Sequence, residues 1–258
     1  ALAALRDRFP DAARVYVAGC AGEPLEAARA FARDPARAAG LTFLGIWVPG
    51  VNTTDYAGLH EAAASELIFL APEFRASFEE RRAVLRPLSY MQAWDWLERG
   101  PIDAAIVQTT APDARGEVSL GVSADFSPAV LARQDVFTIA EINPQAPRPP
   151  SAPSYPLDLF DLSYRAAIPP LRYEPPPPAP VFAAIARNVP RLIGVCDTRQ
   201  DGGARACNLG DDVQRHGVST RTSADRPPAQ PRRGRADYLT APKAPAEHSV
   251  VAPRLPRC

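Results

Sequence analysis

With 258 residues, 46% hydrophobic content and no net formal charge, the chain can bury one large core or two modest ones. The charge balance gives no reason to expect nucleic acid as a partner, and no run of about 20 apolar residues is present to cross a membrane. Lys243 is the only lysine, so arginine carries almost all the positive charge; with abundant Ala, Pro and Gly this suggests a GC-rich coding sequence. The 30 prolines are sparse through the first hundred residues and crowd the rest. Cys20, Cys196, Cys207 and Cys258 form no C-x-x-C pair and have no histidine at metal-ligand spacing. They read as reduced thiols of a cytoplasmic protein without a metal site.

In chain order, Ala1 to Arg8 is a helical lead-in and Arg14 to Ala18 (RVYVA) a strand. Gly19-Cys20-Ala21-Gly22-Glu23-Pro24 then turns into a helix over about Leu25 to Arg33. Strand, glycine turn, helix is a layout that aims backbone N–H groups at an anion or a polarised carbonyl. Glycine also serves many such turns for backbone angles alone. Leu41 to Val48 is a second strand, and Asn52 to His60 a polar loop in which His60 has no triad partner nearby. Glu66 to Leu70 predicts a third strand. Phe74 to Val84 predicts an amphipathic helix, whose Arg75, Arg81 and Arg82 read as a solvated face rather than a phosphate site. Ser89 to Arg99 predicts another helix, with Met91, Trp94 and Leu97 near one core-facing side.

Ile102 to Val107 and Val136 to Ile142 are short apolar runs bounded by turn residues, the pattern of buried strands. Between them lie a loop of small and polar residues, Gln108 to Ser123, and a helix over Ser127 to Gln134. Ser127 suits its cap and Pro128 its first position. Strand, loop, helix, strand implies a parallel pair, whose ligands sit beyond the carboxyl ends of the strands. The Gln108 to Ser123 loop leaves such an end and is the place to expect substrate. The fold class is therefore α/β, a mostly parallel sheet with flanking helices, over residues 1–143. Residues 144–180 read as a proline-rich connector that includes extended polyproline from Glu174 to Pro180. An amphipathic helix follows over 181–193, then a largely irregular tail, 194–258, without sustained periodicity.

The stretch Gln108 to Asp125, QTTAPDARGEVSLGVSAD, matches a long pattern, Q-x-S-x-P-D-x-H-G-x-x-S-x-G-x-S-x-D. Gln108, Pro112, Asp113, Gly116, Ser119, Gly121, Ser123 and Asp125 fall in register, with Thr110 in place of serine and Arg115 in place of histidine. Gly19-Cys20-Ala21 with Glu23-Pro24, the strand Ile139 to Asn143 and the helix Ile185 to Ile193 add further matches. On these residues Arg14 to Ile193 resembles the N-terminal part of the acetyl-CoA hydrolase/transferase family, which includes 4-hydroxybutyrate CoA-transferases.

The resemblance implies a CoA-transferase-like fold of two similar halves with an acyl-CoA site between them. A glutamate attacks the thioester carbonyl and forms a glutamyl-CoA intermediate, chemistry that needs oxyanion donors and shielding from water. Acyl-CoA and a carboxylic acid are the partners, and coenzyme A enters as substrate, with no separate cofactor. Gly19, Cys20, Ala21 and Gly22 take the role of oxyanion or substrate stabilisation. Gln108, Pro112, Asp113, Gly116, Ser119 and Gly121 belong to a loop lining the acyl or pantetheine side. For Gly116 and Gly121 the alternative is turn angles alone, and for Asp113 a cap of its own turn.

After Leu192-Ile193 the text departs from the family's D-G-x-T-L-Q-x-G-I-G, and on this resemblance the second domain with its attacking glutamate is expected to be absent. The tail is therefore expected to be an out-of-frame reading of a GC-rich gene, which the coding sequence would test. The chain is then expected to be a truncated transferase of impaired turnover, with neither Glu23 nor Glu141 as nucleophile. The alternatives are a non-catalytic acyl-CoA-binding module, a homo-oligomer, or a subunit that needs a second-half partner.

Overall fold

Val15 and Val17 face one side of the first strand, β1 (Ala13–Val17), and Tyr16 faces the other; all three are buried. A strand covered on both faces belongs in the middle of a parallel sheet. In the computed structural model, which describes residues 2–172 and 179–188, β1 holds the central place. Helix α1 (Leu2–Arg8) precedes it, and α2 (Leu25–Arg33) follows after a one-turn 3-10 helix over Cys20–Gly22. Then come β2 (Leu41–Gly45), β3 (Ala64–Leu67), α3 (Arg75–Glu79), β4 (Ala83–Leu85) and α4 (Tyr90–Arg99). The later elements are β5 (Ala104–Thr110), β6 (Glu117–Ser119), α5 (Ser127–Leu131), β7 (Phe137–Asn143), β8 (Ser154–Pro156) and β9 (Leu162–Arg165). Helix α6 (Pro180–Asn188) lies in a second unit that begins at Pro175.

The sheet has seven strands in the order β4-β3-β2-β1-β5-β7-β9, every neighbouring pair parallel. Strands β6 and β8 form a separate antiparallel pair. One core, built on Val15, Phe31, Phe43, Trp47 and Tyr56, covers one face; another, built on Tyr16, Leu97, Val107 and Val130, covers the other.

The α/β class read from the sequence holds, and helix α2 has the bounds expected of it. Several local readings need correction. Phe74 to Val84 is not one helix: α3 stops at Glu79, Arg81 takes a φ of 62°, and Ala83–Leu85 pairs as the edge strand β4. Of the expected core side of α4, Met91 is exposed, while Leu97 is buried with Ala93 and Trp94 packs partly buried against the same core. Ser127 is not a cap, since Phe126 occupies that position and the Ser127 hydroxyl sits 3.2 Å from the Tyr16 hydroxyl. The 144–180 stretch is only partly a connector, because β9 completes the sheet against β7. The expected tail, 194–258, lies outside the described residues. Among the described residues no helix is long and apolar enough to cross a membrane, and no group of three or more His, Cys, Asp or Glu is placed to hold a metal.

Candidate functional site

From β1 the chain builds β2, β3 and β4 on one side, then crosses to build β5, β7 and β9 on the other. The order reverses between β1 and β5, and in open parallel sheets the crevice beyond the carboxyl ends at that reversal is where ligands bind. The Gly19–Gly22 turn leaves β1 there, and the loop after β5 leaves beside it. They touch: a Cβ on Gly22 would sit 2.8 Å from the Ser123 carbonyl oxygen, so only glycine lets the two backbones approach this closely. Ala21, Gln108, Thr109, Gly121, Val122 and Ser123 line a small cleft between them. Its volume, about 10 Å³, suits one water. Any ligand larger than a water must therefore rest on its rim.

Beneath the turn runs a shelf of polar side chains. Strand register sets Gln108 beside Glu141 and Glu141 beside Tyr164, so the three share one face of the sheet. Gln108 donates from Nε2 to the Ala21 carbonyl (2.9 Å) and accepts at Oε1 from Asn143 (2.8 Å). Glu141 accepts from the Glu26 and Ala27 N–H groups (3.2 and 2.9 Å) and from the Tyr164 hydroxyl (2.6 Å). It is 1% exposed, and burial pushes its carboxyl above the usual range against the pull of those donors. The N-terminus of α2 thus does attract an anion, but the anion is the chain's own Glu141.

A second clamp fixes the turn from the loop after β2. Asn52 accepts at Oδ1 from the Cys20 and Val48 N–H groups (both 2.9 Å). It donates from Nδ2 to the Cys20 carbonyl (3.0 Å) and to Glu23 (2.8 Å), whose other oxygen accepts from the Tyr56 hydroxyl (3.0 Å). Gly22 N–H bonds to the Gly19 carbonyl and Glu23 N–H to that of Cys20. Gly19 itself packs against the Ile46 carbonyl. With Cys20, Gly22 and Glu23 N–H all engaged within the protein, the turn is not the nest of free donors that its glycines suggested.

The long motif divides into two groups. Gln108, Gly121 and Ser123 meet the turn. Pro112, Asp113 and Gly116 lie exposed at the far tip of the loop and do not line the cleft. Asp113 caps that tip: it accepts from the Arg115 and Glu117 N–H groups (2.9 and 3.0 Å) and pairs with Arg148 (3.0 Å). Those backbone hydrogen bonds hold its carboxyl below the ordinary carboxylate range. Ser119 is buried; its hydroxyl accepts from Gly121 N–H (3.1 Å), and its own N–H donates to Thr110 Oγ1 (3.0 Å). Gly116 (φ 76°) and Gly121 (φ 68°) serve turn angles.

The sequence reading left Asp125 without a role. Asp125 has φ 41° and is partly buried, yet no hydrogen bond or ion pair engages its carboxyl among the described residues. Burial pushes that carboxyl up to about 6. It lies close enough to Cys20, itself at φ 51°, that burial first and the Asp125 charge second raise the thiol, opposed by a hydrogen bond with Ser123. Tyr90, stacked on Phe126 at 5.3 Å and 63% exposed, lies near enough to the pair that burial first and the Asp125 and Cys20 charges second raise its hydroxyl. An aspartate in a turn looks like a cap, so sequence alone gives it no distinction.

A folded pKa near 6 lies above the unfolded value of about 3.9. The native state therefore holds a proton that the unfolded chain has released, and stability declines as pH rises from about 4 through 6. Asparagine cannot ionise and tolerates positive φ. Asp125→Asn is expected to melt about 2–4 °C above wild type at pH 8, roughly 1 kcal/mol after allowance for solvent screening. The difference should vanish near pH 4; identical melting curves at both pH values would contradict this assignment.

The parallel sheet with its paired loops at the point of reversal defines an α/β domain of CoA-transferase type. RipA from Yersinia pestis shares the fold with a TM-score of 0.67 at 20% identity, over 81% of this chain and 54% of RipA. A 4-hydroxybutyrate CoA-transferase from Porphyromonas gingivalis does so with a TM-score of 0.57 at 21% identity, over 83% and 49%. The chain belongs to the acetyl-CoA hydrolase/transferase family, whose N-terminal-domain profile matches residues 7–151. A 4-hydroxybutyrate coenzyme A transferase from Clostridium kluyveri is 26% identical over 182 residues, 70% of this chain and 42% of that protein. The chain thus spans about half the length of the relatives it matches.

Proposed function

We propose that this chain supplies the N-terminal half of a CoA-transferase site, at which CoA passes between a short-chain acyl-CoA and a carboxylic acid through a glutamyl-CoA intermediate. The supporting observation is the contact of the Gly19–Gly22 turn with the Gly121–Ser123 loop at the carboxyl ends of β1 and β5. The attacking glutamate comes from a second half. Glu23 and Glu141 are unsuited to attack because each carboxylate is buried and held by the donors that fix the turn. Alone, the chain binds acyl-CoA and turns it over weakly or not at all. The exposed apolar side chains Tyr90 and Val122 at the rim favour a glutamate-bearing partner that covers them.

Calorimetric titration of the chain with acetyl-CoA and butyryl-CoA, alongside a CoA-transfer assay, tests this reading. Binding without transfer at ordinary enzyme rates is expected. Failure to bind either thioester, or transfer at ordinary rates by the chain alone, would refute it.

A further inference from the structure

Among the described residues, three side-chain polar atoms are buried without a hydrogen-bond partner: Trp47 Nε1, Ser65 Oγ and Thr109 Oγ1. Trp47 is enclosed by Tyr56 and Phe74 (5.0 and 5.9 Å between ring centres), and Ser65 lies within β3. Thr109, 1% exposed, is different, because it lines the cleft between the turn and the loop after β5. An unpaired buried hydroxyl costs free energy, and folded proteins pair nearly all such groups with protein or with ordered water. The polar neighbours of Thr109 are already committed. Gln108 holds Ala21 and Asn143, and the Thr110 and Ser119 hydroxyls accept from the Ser119 and Gly121 N–H groups.

Two acceptors of the same lining are also unused. No hydrogen bond reaches the Ser123 or the Pro147 carbonyl oxygen among the described residues. Glycine opens the space beside each: the Ser123 oxygen is 2.8 Å from a Cβ built on Gly22, and the Pro147 oxygen 3.2 Å from one built on Gly121. The lining holds no ionised side chain, so an ion would enter without a counter-charge. A neutral molecule of one heavy atom, able both to donate and to accept, fits the volume and the chemistry.

We propose that one water is a resident part of this cleft, accepting from the Thr109 hydroxyl and donating to the Ser123 and Pro147 carbonyl oxygens. Three hydrogen bonds are the usual complement of a buried water. This one ties the end of β5 to the loop before α5 and to the segment after β7. The loop is thus held against the turn partly by solvent, and a ligand on the rim meets a floor already filled. The site does not depend on which ligand that is.

A crystal structure of the full chain that shows ordered solvent, with the same structure and a thermal melt of Thr109→Val, tests the proposal. Valine keeps the branched shape and removes the hydroxyl. Wild type is expected to show one water within about 3.2 Å of Thr109 Oγ1 and of both carbonyl oxygens. Thr109→Val is expected to lack it and to melt about 2–4 °C below wild type. The sign is decisive, because valine in place of an unpaired hydroxyl removes a desolvation cost and raises the melting temperature. Wild-type density without that water, or a variant that melts at or above wild type, would overturn the proposal. If the variant does not fold, the wild-type density decides alone.

Discussion

Replacement of Glu141 by alanine is expected to destabilise the protein by about 3–5 kcal/mol, the cost typical of removing one partner from a buried charged network. The carboxylate accepts from two backbone N–H groups of α2 and from the Tyr164 hydroxyl, and water does not reach it. Alanine leaves all three donors buried without acceptors, each at about 1–3 kcal/mol before relaxation. It also removes the negative charge from the helix N-terminus. Glutamine keeps one oxygen and the shape, so Glu141→Gln should lose clearly less. Urea unfolding of the three proteins, followed by tryptophan fluorescence, measures the order. If alanine and glutamine are equivalent, hydrogen bonding by Glu141 is not what holds α2 to the sheet.

Asn52→Ala should be comparably severe, again about 3–5 kcal/mol, with a functional consequence that Glu141→Ala need not share. One amide satisfies both backbone groups of Cys20, the Val48 N–H and one oxygen of Glu23. Without it Glu23 stays buried with only Tyr56, and Cys20 loses the ties that hold its φ at 51°. The turn then relaxes away from Ser123. Acyl-CoA affinity measured under conditions where the variant remains folded should fall about tenfold or more, the loss usual when a supporting shell loosens by about 1 Å. Asn52→Asp, which retains the acceptor but places a second carboxylate against Glu23, should be no better. Unchanged affinity in a folded Asn52→Ala would separate the turn from the binding surface.

These two residues also mark how far the sequence could be read. The strands β1, β5 and β7 were plain in it because their apolar runs are bounded by glycine, proline or asparagine, and α2 because a glycine turn precedes an unbroken run of helix formers. The matched motif falls on the loop that meets the Gly19–Gly22 turn. It did not disclose that Gln108, Glu141 and Asn143 are one shelf, since their proximity follows from strand register and neighbouring strands are far apart in the chain. Asn52, in a stretch that reads only as polar loop, carried no signal at all. β4 and β9 were missed for a different reason: short edge strands bury one side at most, so their patterns are too brief to register. For Asp113 the sequence left substrate contact and turn cap open because both ask for the same residue type, and its hydrogen bonds in the structure are those of a cap.

The threads that hold the Gly19–Gly22 turn and the start of α2 arrive from sites 32, 87, 115 and 141 positions further along the chain. Little of that arrangement can set locally, and closures of such span delay ordering. During synthesis the earliest translated piece of the ligand-facing surface must therefore wait, unsettled, until β7 and β9 have emerged. Within this domain the earlier elements are completed only by the later ones, and a nascent chain arrested before Ala167 would display β1 and α2 without the surface they shape.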